Sequence, residues 1–178
     1  KENEILKFLQ SSIDFNYTFE MGKISKIKKT PPMPFITSSL QQYANTYNNY
    51  SPKETMSLCQ KLYENGFITY MRTDCAKYSN EFIKDGHVFI ENEYGKEYLR
   101  EEINLIILFD NKKGDNKLAQ EAHEAIRPTN IELIDIGDKF TSKEKKMYSI
   151  IRIRTLETLM SNAIYESFNI KIKAPLQC

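Results

Sequence analysis

The chain of 178 residues has few cysteines, and none is spaced for a metal or redox site. The three thiols, at Cys59, Cys75 and Cys178, cannot all pair with one another, and no two lie in the C-x-x-C spacing typical of zinc or redox motifs. We therefore expect free thiols rather than a disulfide framework or a zinc cluster.

Long apolar runs are also missing. No stretch approaches the roughly 18 residues that cross a membrane, and the segment Lys1–Glu4 lacks the features of a signal peptide. With 40% hydrophobic and 28% charged residues, the composition is that of an ordinary globular protein. We expect a soluble intracellular protein that is not secreted and has no membrane partner.

A large excess of positive charge is absent as well, since the formal net charge is only +1. The overall charge therefore does not indicate a nucleic-acid binder, but charge can be local. Lys23, Lys26, Lys28 and Lys29 are crowded into one short stretch. Such a run is ordinarily a solvated strand or linker. Its position just before the motifs described below favours Lys28 and Lys29 as phosphate contacts.

Strand patterns are present near both ends of the chain, with helical patterns between them. Apolar residues alternate with polar ones over 15–21 and again over 168–172, which predicts strands with one buried face. A short helical segment over 5–9 precedes the first strand. We predict an α+β fold in which strands from the two ends return to one sheet around a predominantly helical middle.

Capping signals and apolar spacing predict four helices in that middle. The segments are 38–49, 51–65, 79–94 and a long helix that follows Thr141. The first two are consecutive and resemble a helix-turn-helix pair, although such pairs are more often plain scaffold. Residues 103–109 are a candidate buried strand, and 110–115 form a polar loop.

The run Gly66–Asp74 sets a tyrosine and an arginine two residues apart. In an extended segment Tyr70 and Arg72 would leave the same face about 7 Å apart, beside Ile68 and opposite to Met71. Arginine can grip phosphate with two parallel hydrogen bonds, and a tyrosine beside it can attack the phosphorus. From spacing alone, a packing tyrosine and a solvated edge arginine are the more common arrangement.

Three stretches together resemble the signature segments of type IA DNA topoisomerases. They are Pro34–Gln42, Gly66–Asp74 and Gln120–Thr129, and they occur in the order of the family over roughly residues 30–160. The first is similar to the family's entry into the tyrosine domain, and the second to the segment whose tyrosine carries the covalent DNA link. One departure is Cys75, where bacterial members usually carry serine.

The resemblance implies a function for each candidate residue. Tyr70 would attack a phosphodiester of single-stranded DNA, leaving a free 3′ hydroxyl and a 5′ phosphotyrosyl bond that later religates after strand passage. Arg72 would stabilise charge on the scissile phosphate. His123 would contact a phosphate or transfer a proton, and Arg127 would extend the same phosphate track, although a residue that precedes proline is disfavoured in helical geometry.

The resemblance also implies a division into domains. The tyrosine domain of the family is inserted into an arch-forming β domain. We accordingly expect residues 1–33 to be a strand-rich part of the arch, or gate, domain. Residues 34–162 would be the DNA-cleavage domain, and residues 163–178 a return strand to the arch.

A magnesium-binding acidic domain characterises type IA enzymes, but no Asp-x-Asp motif with a partner glutamate occurs in this chain. We expect no metal ligands here, and an incomplete fragment that is weak or inert alone. Mg²⁺ would be bound by the missing acidic domain of the same polypeptide, and no ATP would be needed. The other partner would be single-stranded or underwound DNA, in the cytoplasm or the nucleus.

Two alternatives remain open from the residues themselves. Tyrosine recombinases and type IB enzymes use Tyr, Arg and His but form the opposite, 3′ phosphotyrosyl linkage, and their tyrosine comes late in the chain. A non-enzymatic module would instead bind single-stranded nucleic acid by stacking bases on Tyr43, Tyr47 and Tyr50. The polarity of a DNA adduct, and its dependence on Tyr70, would distinguish these classes.

Overall fold

The computed structural model describes residues 2–103, 106–107 and 124–175. Within these residues it contains five α-helices and four short antiparallel strands. They are α1 Glu2–Ile13, β1 Thr18–Met21, β2 Ser25–Lys29, α2 Thr37–Asn48, α3 Pro52–Glu64, α4 Asn80–Glu93, α5 Ser142–Leu159, β3 Ala163–Ser167 and β4 Ile170–Lys173. The α+β class predicted from the sequence is confirmed. Among the described helices, none is long and apolar enough to cross a membrane.

The chain divides into two compact units, Lys1–Lys29 with Ala163–Cys178, and Thr30–Asn162. In the first unit, strands from the two ends of the chain pair as predicted, β1 with β4 and β2 with β3. They form two separate two-stranded ladders rather than one sheet. Whether this unit is part of an arch domain, and whether the second is inserted into it, stays a prediction.

The prediction that the terminal strands bury one face is wrong for the described chain. Phe19 and Met21 lie opposite Ile172 and Ile170 on one face of the β1/β4 ladder, and all residues of both strands are exposed. Alternation of apolar residues shows that one face suits burial, but burial also requires a second layer. Among the described residues, nothing covers this face.

The second unit has two hydrophobic clusters, both of which include residues of α5. One cluster joins α2, α3 and α5, and its fully buried members are Phe35, Leu40, Ala44, Cys59, Leu62, Ile68, Met71, Ile126, Met147, Tyr148 and Ile151. The other joins α4 to the end of α5, mainly through Tyr78, Phe82, Ile83, Ile90, Leu156 and Leu159. Burial of this apolar surface is the main force that holds the helices together.

Three of the predicted helix starts are confirmed by their caps. The hydroxyl of Ser51 accepts from the Glu54 N–H, that of Ser79 from the Phe82 N–H, and that of Thr141 from the Glu144 N–H. The remaining start is wrong, because a capping pattern beginning at Ser38 predicted the first helix, whereas α2 begins at Thr37 with Ile36 at the N-cap position.

At the start of α2, the Ser39 hydroxyl accepts from the Ile36 N–H at 3.0 Å. A side chain in the first turn of the helix thus binds the backbone N–H of the residue that precedes the helix. Residues 110–115 lie outside the described residues, as does most of the predicted strand 103–109. Of its described residues, none belongs to a regular strand, but Ile106 is fully buried, as the prediction of burial requires.

Candidate functional site

Backbone hydrogen bonds join the three motif stretches within the unit Thr30–Asn162. The bonds run from the Ile126 N–H to the Phe35 carbonyl (2.9 Å), from the Thr69 N–H to the Arg127 carbonyl (2.9 Å) and from the Thr37 N–H to the Thr73 carbonyl (3.0 Å). Each stretch therefore contacts the other two, although they are far apart in sequence. The structure brings together the segments that the sequence singled out.

The segment Gly66–Asp74 is not a regular strand, contrary to the prediction. In the described chain, this segment forms one isolated β-bridge, which pairs Ile68 with Pro128. As expected, Met71 is buried while Tyr70 and Arg72 are exposed. Ile68, however, is buried with Met71 in the core rather than lying beside the two exposed side chains, because one isolated bridge does not impose the twofold alternation of a strand.

Tyr70 is the accessible tyrosine of the motif. Its side chain is 40% exposed, and its ring packs edge-on against that of Tyr63, with the ring centroids 5.2 Å apart. Tyr78, eight positions along, is fully buried, and burial raises its pKa to about 12. The Tyr70 phenol can therefore meet a macromolecular substrate, whereas that of Tyr78 cannot.

Arg72 lies at an open recess of about 510 Å³. The recess is lined by Ile36, Thr37, Ser38, Gln41, Arg72, Thr73 and Asp74. One arginine, one aspartate, several hydroxyl-bearing residues and one glutamine thus line one concavity, which suits a polar or anionic group. Tyr70 is not part of this lining.

A threonine hydroxyl ties the residue before Tyr70 to the third motif stretch, at residues 125–127. Thr69 Oγ1 donates to the Ala125 carbonyl at 2.8 Å and accepts from the Arg127 N–H at 3.0 Å. This bond fixes the chain that follows His123 against the tyrosine segment. His123 itself lies outside the described residues, so its predicted role stays a prediction.

Arg127 is largely occupied by contacts within the protein. Its Nε and Nη2 atoms donate to the two carboxylate oxygens of Glu124 at 2.9 and 2.7 Å, and Nη1 donates to the Pro128 carbonyl at 3.0 Å. The guanidinium also lies 3.9 Å from the centroid of the Phe82 ring. The phosphate contact of Arg127 stays a prediction. Such a contact would require Arg127 to break one of these hydrogen bonds or to use its remaining N–H groups.

Glu124 links this pair to a helix. Besides binding Arg127, its carboxylate accepts from the Ser79 N–H at 2.6 Å, just before α4 begins. Burial raises the pKa of Glu124, but the hydrogen bonds from Arg127 and from the Ser79 N–H outweigh it, so the pKa lies below its ordinary value. The carboxylate is therefore ionised at neutral pH and links residues 124–127 to the start of α4.

Lys28 and Lys29 belong to the other compact unit and lie on β2. Both side chains are exposed. Consecutive residues of a strand point to opposite faces, so the two lysines cannot both face one flat surface. Their role as DNA contacts stays a prediction. One lysine lies on each face of the β2/β3 ladder.

Thiols and metal ligands provide no second site in the described chain. Cys59 is buried, which raises the pKa of its thiol to about 12, and Cys75 is half-buried with its N–H donating to Thr73 Oγ1 at 3.1 Å. Both are free thiols, as predicted. Over residues 2–103, 106–107 and 124–175, no group of three or more His, Cys, Asp or Glu could hold a metal ion.

Sequence reasoning missed Thr37, Thr69 and Glu124. The Thr37 and Thr69 hydroxyls bond to residues 34 to 58 positions away, and Glu124 accepts from the Ser79 N–H 45 positions earlier, so no local spacing rule predicts these bonds. A weak signal was available, because each is a polar residue inside a motif with no assigned chemical role.

Comparisons with known proteins point to one family. A family model described as DNA topoisomerase matches residues 1–177. The chain is 43% identical over 155 residues to DNA topoisomerase 1 of Buchnera aphidicola (from Acyrthosiphon pisum), covering 86% of this chain and 17% of that protein. It is 42% identical over 156 residues to DNA topoisomerase 1 of Campylobacter jejuni, covering 82% of this chain and 21% of that protein.

A solved structure agrees with these sequence matches. The structure of full-length topoisomerase I from Thermotoga maritima matches 97% of this chain with a TM-score of 0.72 and 33% sequence identity, and the match covers 27% of that chain. The chain thus spans about a fifth of the length of the curated relatives above and about a quarter of the structural one. The comparisons do not favour a non-enzymatic binding module.

Proposed function

Because the chain belongs to the type IA DNA topoisomerases, we propose that it supplies the tyrosine side of a DNA-cleavage site. In this proposal Tyr70 cuts one DNA strand, holds the 5′ end covalently during strand passage, and then releases it by religation. The substrate is single-stranded or underwound DNA, and the result is a change in DNA topology. The protein would act wherever the DNA of the cell lies.

The proposed reaction exchanges one phosphoester for another. The Tyr70 phenolic oxygen attacks phosphorus, an O–P bond to tyrosine forms, and the P–O3′ bond breaks, while the proton lost by the phenol ends on the 3′ oxygen. Religation is the reverse of these steps. Since the bond energy is kept in the adduct, ATP is not required. The charge that builds up on the phosphate oxygens calls for a fixed cation.

The exposed guanidinium of Arg72 suits that role. It can bind the two non-bridging oxygens of the scissile phosphate in a bidentate manner. We assign His123 to a further phosphate contact or a proton transfer. Arg127, Lys28 and Lys29 are assigned to the DNA backbone outside the scissile phosphate.

Magnesium belongs to the proposal, but not to this part of the protein. The described residues contain no cluster that fits the ion, so no step is assigned to it here. We propose that an acidic domain elsewhere in the same polypeptide binds Mg²⁺. The 178-residue segment alone would then be weak or inactive in cleavage.

One observation carries the proposal, namely the meeting of the three motif stretches around an exposed tyrosine and arginine. Hydrogen bonds link 35–37, 66–74 and 124–129 within one unit. Tyr70 and Arg72 stay exposed at this junction while Met71 between them is buried. A packing role would not require both polar side chains of the motif to face the solvent.

Trapping of the covalent adduct tests the proposal. The longest natural chain that contains this sequence is incubated with Mg²⁺ and single-stranded DNA labelled at its 3′ or 5′ end, and the reaction is stopped with detergent. We expect protein-bound label from 3′-labelled DNA only, and its loss in Tyr70→Phe because the attacking oxygen is gone. Tyr98→Phe, with a similarly exposed phenol, should retain the adduct.

Other outcomes would contradict the proposal in different ways. Label bound only from the 5′ end would indicate the 3′ linkage of the recombinase and type IB class. Absence of any adduct, with DNA binding that survives Tyr70→Phe, would indicate a binding module.

A further inference from the structure

The hydroxyl of Thr37 contacts the peptide groups on both sides of Arg72. Thr37 Oγ1 donates to the Met71 carbonyl at 2.8 Å and accepts from the Thr73 N–H at 2.9 Å. The Thr73 carbonyl lies 3.0 Å from the same oxygen, but it also accepts from the Thr37 backbone N–H at 3.0 Å. Because a hydroxyl has one proton to donate, the Met71 carbonyl is the acceptor that depends on it.

These two contacts restrain the backbone of Arg72. The Met71 carbonyl belongs to the planar peptide unit before Arg72, and the Thr73 N–H belongs to the unit after it. The only soft dihedral angles between two planar units are φ and ψ of the residue they enclose. One hydroxyl thus limits both angles of Arg72, in a segment where no regular strand pairing does so.

The groups that hold Thr37 are themselves well fixed. Thr37 is the first residue of α2, and Phe35, two residues earlier, is fully buried and bridged to Ile126. Met71 and Thr73 are buried on either side of the exposed Arg72. The start of α2 therefore acts as a rigid support, and the Arg72 side chain projects from it into the solvent-exposed recess.

We propose that Thr37 is a positioning residue that orients the Arg72 guanidinium toward the scissile phosphate. The inference rests on the proposed function of Tyr70 and Arg72 and adds a residue that acts through Arg72 without touching DNA. Correct placement of a charge matters greatly, since a misplacement of about 1 Å can cost roughly 100-fold in rate. Loss of the hydroxyl should therefore slow cleavage more than it weakens DNA binding.

Thr37→Val and Thr37→Ser test the proposal in the full natural chain. Valine keeps the branched shape and removes the hydroxyl, whereas serine keeps the hydroxyl on a side chain with freer rotation. We expect Thr37→Val to lower the single-turnover cleavage rate about 10- to 100-fold with DNA affinity nearly unchanged. Thr37→Ser should recover most of the rate.

A double-mutant cycle with Arg72→Lys separates positioning from general stability. Lysine lacks the planar guanidinium that binds phosphate through two parallel N–H groups. A residue that only orients this guanidinium should therefore matter less in an Arg72→Lys protein. We expect the rate loss caused by Thr37→Val to shrink to within about threefold in the Arg72→Lys background. If the valine variant fails to fold, the same cycle is measured with Thr37→Ser, whose smaller loss should vanish in the same way.

Thr141→Val provides the matched control. It also removes a hydroxyl that accepts a backbone N–H, but at the start of α5. We expect a comparable loss of thermal stability and an unchanged cleavage rate. Equal rate losses for Thr37→Val in both Arg72 backgrounds, or a normal rate in Thr37→Val, would overturn the inference. An absence of Tyr70-linked adduct in the unmodified protein would instead overturn the proposed function itself.

Discussion

At the scale of single residues, Glu124 connects Arg127 to Ser79, the residue that caps α4. Its carboxylate binds the Arg127 guanidinium through both oxygens and accepts the N–H of Ser79 at the start of α4. Arg127 in turn lies over the Phe82 ring. Charge-assisted bonds of this kind are stronger than neutral ones, and here they fix the chain that enters the site after His123.

The stability contributed by Glu124 should depend on pH. Its pKa in the folded protein lies below the ordinary 4.5, so the contribution is present above about pH 4.5 and is lost as the pH falls through the depressed value. We expect Glu124→Gln to lower the free energy of unfolding by about 1–3 kcal/mol at pH 7. The difference from the unmodified protein should shrink steadily below pH 4.5.

Denaturant unfolding at several pH values measures this effect. Glu91→Gln, an exposed position on α4, is the control and should show a small difference at each pH. A Glu124→Gln penalty that stays constant between pH 7 and pH 3 would show that ionisation of the carboxylate contributes nothing.

Single residues differ in how far the sequence could predict them. Tyr70 and Arg72 were identified because their spacing and neighbours resemble a known motif, and both are exposed. Thr37 and Glu124 were missed because their roles arise from contacts with segments that are distant in sequence. Resemblance of motifs identifies candidate chemical groups, whereas the supporting hydrogen bonds depend on the folded backbone.

At the scale of elements, the packing of α4 on α5 requires a glycine. A Cβ atom added to Gly86 would lie 2.5 Å from Leu159 Cδ1 and 3.6 Å from Ile131 Cδ1. Leu159 is fully buried, so its side chain has little room to move. The glycine therefore allows α4 to approach the end of α5 at the cost of a weaker helix propensity.

We expect Gly86→Ala to destabilise the protein by about 1 kcal/mol, since overpacking costs more than the gain in helix propensity. In a Leu159→Ala background the same change should become neutral or stabilising, because the clash is removed. Thermal or denaturant unfolding of the four variants measures both effects. Stabilisation by Gly86→Ala in the unmodified background would show that Leu159 moves aside freely.

Elements were predictable to the extent that their signals are local. The starts of α3, α4 and α5 were predicted correctly, and their caps at Ser51, Ser79 and Thr141 use hydroxyls within three residues of their partners. The two-residue spacing of Tyr70 and Arg72 was interpreted on an extended strand, yet a strand also needs a partner along its length. Here only Ile68 finds one, at Pro128.

At the scale of the whole molecule, the two units differ in how they bury apolar surface. The core residues named above all lie within Thr30–Asn162. The first unit instead exposes large apolar residues of α1 and of its strands, among them Ile5, Ile13 and Phe19. Alternation predicted that the terminal strands pair, but it could not show that their apolar face lacks a second layer in the described chain.

A chain of residues 30–162 should fold by itself, because the described members of its two hydrophobic clusters all lie within that range. We expect a cooperative thermal transition with a midpoint within about 5 °C of that of residues 1–178, since two-stranded ladders add little stability. Circular dichroism measures the transition. In the shorter chain, Leu62→Ala should cost about 2–5 kcal/mol, as expected for a buried leucine in a formed core. A broad transition that Leu62→Ala leaves unchanged would mean that the terminal strands are needed for the core to form.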